Sequence, residues 1–401
     1  MKRSIDAILT THVGRLQRPD TITEKLVGRY AGKAVDQAAL DAELKASVAE
    51  VVRQQAEARI RVVNDGEFGR ISWLIYAHER LSGFEQRPVE LKYATAILKG
   101  KDREEFADYY SEFATRGGLT YYKSPGAAGS SGGMRDHQPV CIGPVAYRGQ
   151  ALLRAEIDAL KSALGKADAA EAFMTSTAPG DIVYAAPNDH YRNEEDYLYA
   201  IANAMKEEYH AIVDAGLVLQ IDDPMIPAYW DLMLTQGVDI AKYHRYCEAR
   251  IEALNHALAD IPRDRIRYHI CWGSHHGPHV SDIPIRDVIP MLFKVRASGL
   301  LFEAANSRHE HEWQAWRHVK LPDDTVLIPG VIGHATNTVE HPELVAWRIK
   351  LFAETVGKEN VIAGTDCGMG YRVHPQIAWA KLKALGEGAR LASRELWPGP
   401  H

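Results

Sequence analysis

EEDYLYAIANAMKEEYHAIVDAGLVLQIDD, residues 194–223, holds the pattern that decides the fold. Its first part spaces Leu198, Ile201, Ala202, Met205, Tyr209 and Ile212 along one face, predicting an amphipathic helix over 194–215. LVLQID, 217–222, then reads as a short apolar strand that stops at carboxylates. A strand that follows a helix, repeated along a chain, implies parallel pairing with crossover helices.

The same alternation runs outward in both directions. Strand candidates fall at 7–11, 61–65, 139–143, 172–176, 217–222, 266–271, 299–303, 326–331 and 361–366, with a second long amphipathic stretch at 36–61. Nine candidates exceed a closed eight-stranded barrel by one. The irregular part is 80–138, which contains GGLTYYKSPGAAGSSGGMRDHQ, rich in Gly, Ser and Pro. It reads as a long excursion, with 139–143 inside it or at its edge. The small residues of 124–133 suit a lid, or equally a plain surface insertion. The predicted fold is α/β: a (β/α)8 TIM barrel spanning residues 1–401 as one domain, with an irregular insertion at about 80–138 after the second strand.

Bulk properties exclude several functions. The 401 residues are 46% hydrophobic and 25% charged, ordinary for a globular chain. A net charge of -6 without a long basic run gives nucleic acid no electrostatic hold. No run approaches the roughly 18 apolar residues of a membrane span. Lys2 and Arg3 open the chain, but Asp6 interrupts any signal-peptide core. Four cysteines make no disulfide framework. The expected location is cytoplasmic, and the expected partners are small molecules.

Polar residues collect where apolar runs stop: Asp65-Gly66-Glu67, Asp222-Asp223, His269-Ile270-Cys271, Glu303 and Asp366-Cys367. In a parallel barrel those ends share the rim where active sites form. His269 and Cys271 are two apart, so on a strand both point to one face. Glu303 and Cys367 end later strands and could complete a four-ligand set. Imidazole with thiolate suits zinc better than magnesium or calcium. His-x-Cys alone is a weak signal, and a buried Cys beside a hydrogen-bonded His is the competing reading. Cys247, in a helical stretch, and Cys141 read as core filler. His275, His276 and His279 sit in a Gly/Pro loop with no Cys or Glu at fixed spacing, and read as rim residues.

THVGRL, VNDGEFGR, LQIDDP, HICWGS, LLFEAANSR and GTDCGMGYR, in that order, resemble the catalytic half of cobalamin-independent methionine synthases, from Thr10 to about Arg394. The resemblance implies a (β/α)8 barrel with Zn2+ inside its C-terminal rim, held by His269, Cys271, Glu303 and Cys367. It implies that Glu67 and Asp222 hold an acceptor's amino group. Two thiolates and a carboxylate on Zn2+ leave a net charge of about -1, and a coordinating thiol is deprotonated. That electron-rich set suits alkylation of a bound substrate thiolate rather than hydrolysis. Ligands scattered from 269 to 367 also differ from the close spacing of a structural zinc site.

Other positions depart from the family. Its Ile-Gly-Ser turn is replaced by Val13-Gly14-Arg15, with His12 on the same strand end. Arg15 is a forked donor suited to carboxylate or sulfonate. Arg70 could pair with Glu67 or Asp222, or meet an anionic substrate. Pro179 precedes Asp222 by 43 positions, close to the family register, but Ala185, beside Tyr184, stands where a folate-stacking Trp is expected. The family's N-terminal half has no counterpart here. His334 lies one residue out of register with the family's proposed general acid. The expectation is a zinc-dependent transferase moving a methyl or other alkyl group from a donor to a thiol acceptor. One variant takes an epoxide or another non-folate donor, as the similar epoxyalkane:coenzyme M transferases do. The alternatives are a decarboxylase of the uroporphyrinogen type, which shares the barrel but uses no zinc, and a non-catalytic zinc- or thiol-binding barrel.

Overall fold

The structure, a computed structural model, describes residues 1–88, 100–115, 137–273 and 276–398. Eight parallel strands form one sheet: β1 (Leu9–Thr10), β2 (Val62–Val63), β5 (Glu171–Thr177), β6 (Val218–Asp222), β7 (Ile266–His269), β8 (Gly299–Phe302), β9 (Val326–Ile332) and β10 (Ile362–Thr365). Their order is β1-β10-β9-β8-β7-β6-β5-β2. The edges meet, since Arg61 N donates to Thr10 O at 3.1 Å and Thr11 Oγ1 to Val62 O at 3.0 Å. These contacts bring β1 beside β2 and make the sheet a nearly closed α/β barrel.

The ninth candidate is resolved by pairing direction. β3 (Phe84–Pro88) and β4 (His137–Cys141) form an antiparallel ribbon apart from the eight. The 139–143 run therefore belongs to the excursion after the second barrel strand. Its partner β3, FEQRP, carries no apolar alternation and went unforeseen. The stretch 124–133, read as a lid or surface insertion, lies outside the described residues.

Side-chain period explains the layers. Along β6, Leu219 and Ile221 join the large cluster beneath the helices, while Val218 joins Val62 and Phe173. Along β8 and β9, Leu300 and Leu327 face the helices, while Leu301 and Ile328 join Val13 and Ile362. The second set fills the barrel interior, as period 2 requires. The helix Glu194–Asp214 buries Leu198, Ile201, Met205, Tyr209 and Ile212, and Asn193 caps it by accepting from Asp196 N at 2.7 Å. Helix Gln37–Glu57 is capped in the same way by Asp36. Among the described residues, no helix is long and apolar enough to cross a membrane.

Candidate metal centre and its pocket

Register assembles the site. Asp222 lies opposite His269 across β6 and β7, and His269 opposite Leu301 across β7 and β8. Two residues further, Cys271 and Glu303 extend the same faces past the ends of their strands. Asp366 N donates to Ile332 O at 3.0 Å, which brings the turn after β10, with Cys367, to the same rim.

Three of the four expected ligands converge. The donor atoms of His269, Cys271 and Cys367 all lie within 4.8 Å of one another. The sulfurs are 3.8 Å apart. Two sulfurs each about 2.3 Å from one tetrahedral ion stand about 3.8 Å apart. His269 Nδ1 is 3.0 Å from Asp222 Oδ1, whereas its buried Nε2 has no hydrogen-bond partner. A carboxylate on Nδ1 fixes the tautomer with Nδ1–H and leaves the Nε2 lone pair for a metal. The donor set therefore fits a thiolate-binding ion. Without one, burial opposes charge on His269, but the neighbouring Asp222 and then Cys367 overcome it and push the ring up to about 10. Cys367 is drawn well below the usual thiol range, first by Cys271 and then by His269.

Glu303 stands beside this trio in a second group, with His334 and Asp366. Its Oε1 accepts Trp272 N at 2.9 Å and its Oε2 accepts Asn306 Nδ2 at 2.7 Å. Both partners were unforeseen; Trp272, next to Cys271, was the available clue. His334 is buried with neither ring nitrogen hydrogen-bonded, and burial pushes it down to about 3, so the ring is neutral. Glu67 takes a left-handed φ of 59°. Its Oε1 accepts Thr175 Oγ1 at 3.1 Å, while the buried Oε2 has no hydrogen-bond partner. Burial, then the charge of Asp222, pushes Glu67 up to about 7. Gly14, at φ 149°, makes room for that carboxylate, since a Cβ there would sit 2.7 Å from Glu67 Oε1.

Two expected pocket residues turn elsewhere. Arg70 pairs with neither Glu67 nor Asp222: its Nε donates to Glu156 at 3.2 Å and its Nη1 to Thr175 Oγ1 at 2.7 Å. Glu156 belongs to the helix Gln150–Leu164, a partner that strand-end reading could not reach. The His12 ring bonds Gln55 Oε1 at 2.8 Å, on the helix Gln37–Glu57, and burial pushes it down to about 4. Arg15 Nη2 donates to Ile71 O at 2.9 Å, and its guanidinium lies 5.1 Å from the Tyr371 ring centre. The carbonyl of Arg15 accepts Met369 N and Gly370 N, which seats the residue against the Cys367 turn. The histidine loop forms no ligand group among the described residues: His279 bonds Asp282, and His275 lies outside them.

Residues 137–390 match the family of cobalamin-independent synthase catalytic domains. The chain belongs to that family. Cobalamin-independent synthases of this kind are transferases of the methionine synthase type. Among its relatives, a methionine synthase of Sulfolobus acidocaldarius is 24% identical over 400 residues, covering 99% of this chain and 95% of that one. A methionine synthase of Saccharolobus solfataricus is 24% identical over 391 residues, with 96% and 95% covered. The fold is shared with a B12-independent methionine synthase of Shewanella sp. W3-18-1 solved with selenomethionine, at TM-score 0.68, 18% identity and 98% and 99% coverage. A solved protein of Listeria monocytogenes, described as a vitamin-B12 independent methionine synthase, follows at TM-score 0.64, with 18% identity and 99% of both chains covered. Ala185, where a stacking Trp was expected, ends the helix Pro179–Ala185, and the Tyr184 ring lies 5.4 Å from that of Tyr229.

Proposed function

We propose that this synthase is a zinc-dependent thiol alkyltransferase, with methyl transfer to an amino-acid thiol such as homocysteine as its leading reaction. The observation that carries the reading is the pair of sulfurs 3.8 Å apart beside a histidine nitrogen held open by Asp222. His269, Cys271 and Cys367, with Glu303 as the fourth, would hold the ion. Zinc in that set supplies the Lewis acidity that lets a substrate thiol lose its proton and remain nucleophilic.

The chain's own groups do the rest. Asp222 keeps His269 in one tautomer and orientation. Trp272 N and Asn306 hold the Glu303 carboxylate in place. Glu67 and Asp222 raise a negative field in one pocket, and an ammonium group between them relieves it; the push of Asp222 on Glu67 supports this role. The acceptor's sulfur–carbon bond forms as the donor's bond to the alkyl carbon breaks. The electron pair stays on the donor atom, which takes up the proton that the acceptor thiol lost, passed on by His334. The neutral His334 ring can carry that proton only while the donor's developing negative charge is near. Glu67, Asp222, Arg15, Gly14 and, behind them, His12 and Arg70 form the acceptor side.

A second acceptor chemistry has its own support. Arg15 is drawn against the Cys367 turn with its buried Nε unbonded, a setting for an acceptor acid such as a sulfonate. Ala185 in place of a stacking Trp favours a donor other than folate, an epoxide among them. We place the reaction in the cytoplasm.

Zinc-edge absorption of the purified protein with homocysteine or 2-mercaptoethanesulfonate tests the proposal. One zinc per chain and one added sulfur neighbour with either thiol is the expected result. A zinc-free protein sinks the metal reading. A zinc shell that gains sulfur from neither thiol removes both acceptors.

A further inference from the structure

One buried carboxylate lies behind the ligand-bearing turns and takes no part in the reaction just described. Asp366 is 0% exposed. Its Oδ1 accepts two backbone N–H groups, Ala304 at 2.8 Å and Ala305 at 2.9 Å, the residues that follow Glu303. Its own N–H goes to Ile332 O at the end of β9, two residues before His334. Cys367 is the next residue. One residue, by its side chain and its backbone N–H, thus stitches together the ends of three strands, each leading to a different group of the site.

The local backbone is shaped for this contact. The β9–β10 ladder shifts register between Gly364 and Thr365, just before Asp366. Across that irregularity stands Gly330, where a Cβ would lie 2.1 Å from Asp366 Oδ1 and 2.6 Å from its Cα. A side chain at 330 and Asp366 in this position exclude each other. Both amide bonds end on one oxygen, which accepts them whether or not the carboxyl carries its charge. Among the described residues, these two bonds tie the Glu303 turn to the Cys367 turn.

We propose that Asp366 is a positioning residue: it docks the Glu303 turn onto the Cys367 turn, so that the donor atoms of β8 and β10 stand in register before a metal arrives. The proposal rests on the metal reading for its spectroscopic readout and stands apart from it in the metal-free protein. Supporting residues around a metal centre typically change affinity about 10–100-fold when lost.

Three variants test it. Asp366→Asn keeps an oxygen for both amides, Asp366→Ala removes it, and Gly330→Ala crowds it while leaving every donor side chain unchanged. Each is loaded with Co2+, and the thiolate-to-cobalt absorption band and the chelator-competed dissociation constant are read. Amide exchange at Ala304 and Ala305 is followed in the metal-free protein. Asp366→Ala should bind about 10–100-fold more weakly, with a shifted band and faster exchange at both amides, and Asp366→Asn should restore all three to within about threefold of wild type. If Asp366→Ala does not fold, Gly330→Ala decides by the same readouts. An alanine variant that matches wild type in affinity, band and exchange overturns the proposal, as does an Asn variant no better than Ala. A wild-type protein that takes up no cobalt or zinc defeats the metal reading instead, and exchange at Ala304 and Ala305 still decides the docking.

Discussion

Asp222→Ala removes the acceptor that holds His269 Nδ1 at 3.0 Å. Gln220, the other donor to that oxygen, keeps its bond to Val13 O, so the strand loses little of its own support. A hydrogen bond to a charged group is worth about 1.5–3 kcal/mol. At about 1.4 kcal/mol per factor of ten, the imidazole should lose about 10–150-fold in metal affinity, which overlaps the 10–100-fold typical of such supports. Asp222→Asn still offers an oxygen, so a bond worth about 1 kcal/mol survives and the loss should shrink to about 2–30-fold. Zinc dissociation constants measured against a chromophoric chelator, at fixed pH and salt, read both values; urea unfolding of the metal-free proteins checks that the fold is intact. Asp222→Ala within twofold of wild type refutes the orienting role. So does Asn weaker than Ala.

Other consequences follow from the same geometry. Glu67 is pushed up to about 7 by burial and then by Asp222, so the fold favours its protonated form. Metal-free wild type should therefore keep this part of its stability below the ordinary value of 4.5 and lose it as pH rises through about 7. Glu67→Gln should remove that loss, a gain of up to about 3 kcal/mol at pH 8 relative to pH 5 in urea unfolding; identical pH profiles for the two proteins contradict it. Lys381 pairs with Glu340 at 2.9 Å inside the fold, and Glu340 also accepts Gly333 N at 2.8 Å beside His334. Lys381→Met should cost about 3–5 kcal/mol by stranding the carboxylate, and a change under about 1 kcal/mol tells against it. Asp102, in the excursion, accepts His279 N at 3.2 Å and Val280 N at 3.0 Å. Asp102→Ala should speed amide exchange at those two residues with zinc content unchanged, and unaltered exchange shows that the excursion does not hold the rim loop.

Barrel and rim were legible because two periods of apolar residues repeat along the chain. Strands show inward and outward neighbours, and five of the runs stop at polar residues such as Asp222-Asp223. The ribbon was half legible: β4 has an apolar end, while β3 offers only Phe84 before a polar run and is placed largely by backbone pairing. The nearness of His269 and Cys271 could be read because i and i+2 on a strand share a face, and that of Cys367 from its place at a later strand end. Partnerships between distant elements could not. Nothing near Arg70 in sequence points to Glu156, and nothing near His12 points to Gln55. The link between Asp222 and His269 lay between the two. Both were singled out, but only the β6–β7 register makes them neighbours. Asp366 stayed hidden because its partners are backbone amides, which leave no mark on composition.

β1 pairs with β10, Ile8 N is bonded to Ser393 Oγ at 2.9 Å, and Ser4 Oγ reaches Val361 O at 2.6 Å. A segment made early on the ribosome is thus seated by one made about 350 residues later. Until residues 361–393 have emerged, the strand leading to Gly14 and Arg15 has no neighbour on one side, and Cys367 is still to come. A half-synthesised chain holds a sheet with open edges, which invite pairing with another chain. Closure of the barrel therefore waits for residues 361–393: a chain that stops before them leaves an open sheet in place of a weakened catalyst.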